Sequence, residues 1–101
     1  MNGPLAVVLQ GRATREVDEI DAWWRENRRG APDLFVAELE RTLAVVALMP
    51  TLGAPARSKR LRDVRRVLLK KTRYHVYYRV HGDVLEVLAV WHTARGKGPG
   101  L

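Results

Sequence analysis

The spacing of the apolar residues changes once along this chain, and no other feature constrains the fold as much. From Ala13 to Met49 apolar side chains return every three or four positions; from Val64 to Trp91 they tend to alternate. The first spacing lines up one face of a helix, and the second lines up one face of a strand. The chain is therefore read as a helical half followed by a sheet half. Its 101 residues give room for one domain, in which a layer of helix covers one sheet. An apolar fraction of 47% supplies a core and argues against disorder.

Each element has its own signals. Leu5 to Gln10 (LAVVLQ) reads as a first strand. A helix is expected over residues 14 to 29. Thr14 would be its N-cap, with Glu16, Asp18 and Glu19 near its positive end. Ala13, Val17, Ile20 and Trp24 form its apolar stripe, with Trp23 at the edge as a packing residue, and Gly30 is placed just past its end. Pro32 suits the first position of a second helix. Phe35, Leu39, Leu43, Val46 and Met49 are its buried stripe, and Pro50 and Gly53 stop it. A link of two or three residues makes the pair an antiparallel hairpin. Thr51 to Asp63 reads as a basic loop of about a dozen residues, long enough to suggest a function.

Three strands follow: Val64 to Lys70, Arg73 to Val80, and Val84 to His92. A turn at Lys71-Thr72 and another at His81-Gly82 make them an antiparallel meander. The second turn would set Tyr78 opposite Leu85 and Val76 opposite Val87. One face then carries Val67, Leu69, Tyr74, Val76, Tyr78, Val80, Leu85, Val87, Ala89 and Trp91, and receives the helices. The other carries Arg66, Lys70, Arg73, His75, Tyr77, Arg79 and His92, mixed with Leu68, Leu88 and Val90. Glu86 is expected to pair with a basic neighbour, near Tyr77 and Arg79. The fold class is thus α+β, a small antiparallel sheet on an N-terminal helical hairpin, in the order β-α-α-β-β-β. Residues 1–101 form a single domain, with 93–101 a short flexible tail rich in glycine and proline.

Charge is distributed unevenly. Thr14 to Pro50 holds five Arg and eight acids, a balance of −3; Thr51 to Leu101 holds twelve Lys/Arg and three acids, a balance of +9. The basic half suits nucleic acid, an anionic membrane or an acidic protein. The apolar run Leu5 to Leu9 is too short for a signal peptide or a membrane span. With no cysteine, there is no disulfide framework and no thiolate metal site, which fits a reducing compartment. No phosphate loop, zinc motif or histidine cluster is present, so no cofactor and no metal is expected. What remains is Arg, Lys, His and Tyr on one sheet face, a set that grips phosphates and can support RNA cleavage.

Four segments carry a family resemblance. Leu48-Met49-Pro50-Thr51-Leu52-Gly53 looks like the P-x-x-G turn that closes the helical hairpin of ParE/RelE toxins. Val64-Arg65-Arg66-Val67 resembles their "lR" strand, and Arg73 to Val80 (RYHVYYRV) their "YrifYrv" strand. Val87 to Arg95 (VLAVWHTAR) resembles their closing "i-x-V-x-H-x-x-R" element. The four stand in order across nearly the whole chain, closer to ParE than to RelE. The resemblance implies a cytoplasmic toxin of a type II toxin–antitoxin pair. It implies an acidic, ParD-like antitoxin as cognate partner in a hetero-oligomer, and no membrane. ParE-like members are associated with poisoning DNA gyrase; RelE-like members cut mRNA on the ribosome. If this chain cut RNA, Lys59, Arg66, Arg73, Arg79 and His92 would carry the chemistry. The RelE-like C-terminal Tyr is missing, which counts against cleavage, while His92 and Arg95 keep it open. The target- or partner-binding set is Arg57, Lys59, Arg60, Arg62, Arg66, Arg73, Arg79, His92 and Arg95. A third possibility is a member that has lost toxicity and only binds an antitoxin or nucleic acid.

Overall fold

A computed structural model describes residues 3–101. The element order is β1 (Ala6–Leu9), α1 (Gly11–Asn27), α2 (Leu34–Leu48), β2 (Ala54–Pro55), β3 (Arg65–Leu69), β4 (Tyr74–His81) and β5 (Val84–His92). The strands form one sheet in the order β1-β5-β4-β3-β2. The α+β class and the helical hairpin agree with the sequence reading, but the sheet is mixed. β1 runs parallel to β5, pairing Ala6 with Val84 through Leu9 with Val87. The other ladders are antiparallel. β2 lies inside the stretch read as loop. Two residues with a proline give little strand signal, and only an edge tolerates the missing N–H.

The helix ends differ from expectation. α1 starts at Gly11 with Gln10 as N-cap, so Thr14 sits in the first turn, and no acid does. The turn at Gln10 is fixed by the sheet instead, because Gln10 N–H donates to Val87 O (2.9 Å). Arg28 is the C-cap, and Gly30 does not take a left-handed conformation. Pro32 precedes the N-cap Asp33 of α2. The link therefore spans Arg28 to Asp33, longer than expected.

The main core lies between the helices and the sheet. Phe35, Leu39, Leu43 and Val46 of α2 meet Leu69, Val76, Tyr78, Leu85 and Val87, with Val17, Ile20 and Trp24 of α1 packed against them. Met49, expected in that stripe, is half exposed, and Val80 is exposed at 41%. Glu38 is buried in this layer, and its carboxylate accepts from Lys71 N–H (2.7 Å), Thr72 N–H (3.0 Å) and the Thr72 hydroxyl (2.8 Å). It ties α2 to the β3–β4 turn.

Two features of β5 correct the predicted pairing. The hairpin turns at Gly82-Asp83, with Gly82 at φ 64°, one residue later than expected. His81 therefore pairs with Val84, and Tyr78 with Val87. The register then shifts: Tyr77 pairs with Ala89, leaving Leu88 as an extra residue. This bulge reverses the facing of everything after it. Val90 and His92 turn toward the helices, opposite Val76 and Tyr74, while Ala89 and Trp91 join the far face. There a second, smaller core forms from Val64, Tyr77, Leu88 and Ala89, with Ala56, Leu61, Trp91 and Leu101 against it.

Candidate functional site

The far face of the sheet carries a basic groove. Arg57, Ser58, Lys59 and Arg60 form one wall, Arg66 and Tyr77 the floor, and Gly98 to Leu101 the other wall. The loop is shaped locally. Ser58 Oγ accepts from Leu61 N–H (3.0 Å) and Arg60 N–H (3.3 Å), the short turn that serine favours. Ala56 N–H donates to Val64 O (2.8 Å) and closes the base of the loop. The tail lies back along this face. Lys59 N–H donates to Leu101 O (2.9 Å), and Trp91 Nε1–H donates to Lys97 O. Arg57, Lys59, Arg60 and Arg66 make no ion pair among the described residues, so their charge is available to a partner.

His75 stands beside this floor. Burial, together with the positive charges of Arg66 and Arg73, holds its imidazole below the usual histidine range. It is therefore neutral at neutral pH. Its ring is edge-on to Tyr77, 6.2 Å between centroids.

The rest of the predicted set is dispersed. Arg62 is exposed on the loop outside the groove. Arg73 sits in the β3–β4 turn at φ 71° and is exposed. Arg79 is committed, as expected for Glu86: its Nε donates to Glu86 Oε1 (2.8 Å), while Gln10 Nε2 donates to Glu86 Oε2 (2.6 Å). His92, placed with the basic face by the sequence, stands instead against Tyr74, 4.8 Å between ring centroids. Arg95 stacks over Trp91 at 4.0 Å. The ribonuclease set is thus split between two faces. His92 and Arg95 line a second cleft with Trp23, Trp24, Arg28 and Tyr74. Sequence reasoning missed this cleft because its phase rests on the bulge at Leu88. Trp23, read as a packing residue, is 44% exposed at its rim.

An apolar surface is also open. Val45 (46%), Leu48 (62%), Met49 (51%) and Leu52 (48%) are exposed at the end of α2. That end meets the edge strand, because Leu5 N–H donates to Ala47 O (3.0 Å). On β1, Val7 and Val8 are likewise exposed. Scattered apolar residues are ordinary on a surface, but these four lie close in sequence around the end of α2 and form a candidate contact surface.

Among the described residues no helix is long and apolar enough to cross a membrane. A comparison with curated proteins finds no match. Among solved structures, a chain of the "Chromosomal ParDE TA system from P. aeruginosa" is similar in fold. Its TM-score is 0.68 at 17% identity, covering 87% of this chain and 95% of that one. The family model described as "ParE toxin of type II toxin-antitoxin system, parDE" matches residues 7–96. With that match spanning most of its length, the chain belongs to the ParE toxin family of type II toxin–antitoxin systems.

Proposed function

We propose that this chain is a cytoplasmic toxin that arrests growth by a non-enzymatic action on DNA gyrase, and that a cognate acidic antitoxin holds it inactive. The observation that carries the choice between targets is the bulge at Leu88. RNA cleavage needs a group to activate the 2′-hydroxyl, cations for the phosphate, and an acid for the leaving oxygen, all within reach of one another. The bulge turns His92 away from Arg66 and Lys59. Glu86 occupies the Arg79 guanidinium. The groove keeps cations and a tyrosine, and no histidine or acidic side chain lines it. Such a groove grips an anionic or acidic surface. The ParE family match supports the same reading.

The antitoxin is inferred from two surfaces. An amphipathic helix fits the exposed apolar end of α2, and an added strand fits the open edge of β1. An acidic extended segment fits the basic loop.

Inducing the chain alone in bacterial cells tests the reading. Growth arrest with a DNA-damage response and intact mRNA is expected. Primer-extension stops within codons would point to the ribosome instead. Normal growth on strong induction of soluble protein would leave a binding module without toxicity.

A further inference from the structure

We propose that the cleft between the end of α1 and the β3–β4 turn binds an unpaired nucleotide, with the base stacked on the Trp23–Arg28 pair and the phosphate held by Arg95, His92 and Tyr74. The inference does not rest on the toxin reading. It starts from what lines the cleft. The Arg28 guanidinium lies over the Trp23 ring at 4.8 Å, and Trp23 is 44% exposed. Together they offer a flat, cationic stacking surface to solvent, and both tryptophan rings and guanidinium planes accept bases.

Tyr74, His92 and Arg95 offer donors to the cleft. Trp24 Nε1–H donates to the Tyr74 hydroxyl (3.3 Å), which leaves the hydroxyl proton to be given to a ligand. Ala94 N–H donates to His92 Nδ1 (3.0 Å), which leaves Nε2–H as the donor that this ring offers. Arg95 reaches the cleft from its stack on Trp91 at 4.0 Å, held as a pre-oriented plane. Neither Arg28 nor Arg95 makes an ion pair among the described residues. Two guanidinium groups stand against one carboxylate, Glu19, on the lining. That balance suits a single phosphate.

The combination sets the ligand class. An acidic peptide needs the cations but not an exposed tryptophan beside them. Duplex nucleic acid presents phosphates but no free base face. An unpaired nucleotide needs both. Its source is a free nucleotide or a single strand, which share this chemistry.

The test uses the full chain, with AMP and adenosine followed by calorimetry and a labelled short oligodeoxyadenylate followed by anisotropy. AMP is expected to bind, and adenosine to bind more weakly. Trp23→Ala, at an exposed position, should lower AMP affinity about tenfold, the effect of losing one base stack. Arg95→Gln should remove the preference for AMP over adenosine. Circular dichroism checks that both variants fold. A strand that binds more tightly than AMP, with the same sensitivity to Trp23→Ala, identifies single-stranded nucleic acid as the source; equal affinity identifies the free nucleotide. Equal binding of AMP and adenosine, or AMP binding unchanged in both variants, overturns the proposal. So does a glutamate-rich peptide or a DNA duplex that outcompetes AMP regardless of Trp23.

Discussion

The hydroxyl of Tyr78 lies 2.9 Å from the backbone nitrogen of Gly53, accepts its proton, and donates its own to Pro50 O at 2.8 Å. One phenol from the middle of β4 thus fixes both ends of the Pro50–Gly53 turn that closes α2. Arg65 adds a bond to Gly53 O (2.7 Å). A Cβ at Gly53 would stand 2.6 Å from the Tyr78 oxygen and 2.7 Å from Arg66 O. The Tyr78 ring is fully buried and Arg66 O is backbone in a strand, so neither yields cheaply.

Two substitutions test this joint. Gly53→Ala should destabilise by about 1–3 kcal/mol, the range for forcing atoms into a packed site. Tyr78→Phe should cost about 1–3 kcal/mol, because it strands a buried N–H and a carbonyl. Thermal melts read both as drops of roughly 4–8 °C per kcal/mol. A Tyr78→Phe melt equal to that of the parent would mean that water replaces the phenol there.

Glu38 predicts a pH effect. Burial pushes its carboxyl up, but the bonds from Lys71 N–H and the Thr72 hydroxyl and N–H, with the charge of Lys71, outweigh it and hold the carboxyl below its ordinary value. A carboxyl depressed on folding contributes stability that is present above the unfolded value, about 4.3, and lost as pH falls through the lower folded value. Glu38→Gln should therefore be less stable than the parent at neutral pH, and the gap should close on acidification below about 4. A gap independent of pH would show that the carboxylate charge contributes nothing.

Much of this architecture was legible because periodicity reports burial directly. Phe35, Leu39 and Val46 are core as their phase required, and Glu86 pairs with Arg79. The failures are also physical. Thr14 looked like a cap because its residue type favours caps, yet the bond from Gln10 to Val87 sets the start of α1. Alternation alone does not reveal an extra residue in a strand, so the bulge at Leu88 put His92 on the wrong face, and with it half of the predicted site. Glu38 was missed because a charged residue in an apolar stripe gives no sign of three donors waiting for it in a distant turn.

His75 should titrate below the usual histidine value of about 6.5. It is depressed by burial first, then by Arg66 and Arg73. Because the folded value is lowered, the unfolded chain binds more protons just below about 6.5, so this group's contribution to stability rises as pH rises through that range and is lost as pH falls. Its ring resonances followed by NMR across pH should give a midpoint below that of free imidazole. Arg66→Gln should raise the midpoint by removing one repulsive charge. A midpoint at or above the ordinary value would show that water screens the ring from both arginines.

The antitoxin contact should separate into an apolar part and an ionic part. The end of α2 exposes Val45, Leu48 and Met49, and burial of such side chains is worth about 1.5–3 kcal/mol each. A charge placed there must be buried without a partner, which is costly. Leu48→Asp should therefore weaken antitoxin binding at least tenfold, with little effect on its salt dependence. The basic loop acts differently. Arg57, Lys59, Arg60 and Arg62 project from one exposed or half-exposed loop, and exposed charges are screened beyond a Debye length of about 8 Å at physiological ionic strength. Reversing Arg60 and Arg62 to Glu should slow association and flatten the salt dependence. Titrating the antitoxin's C-terminal peptide onto each variant across a salt series distinguishes the two. If binding is as sensitive to salt after the charge reversal as before it, the loop faces the toxin's target and not the antitoxin. If Leu48→Asp binds as well as the parent, the helix end is not the docking face, and the β1 edge is left to hold the antitoxin alone.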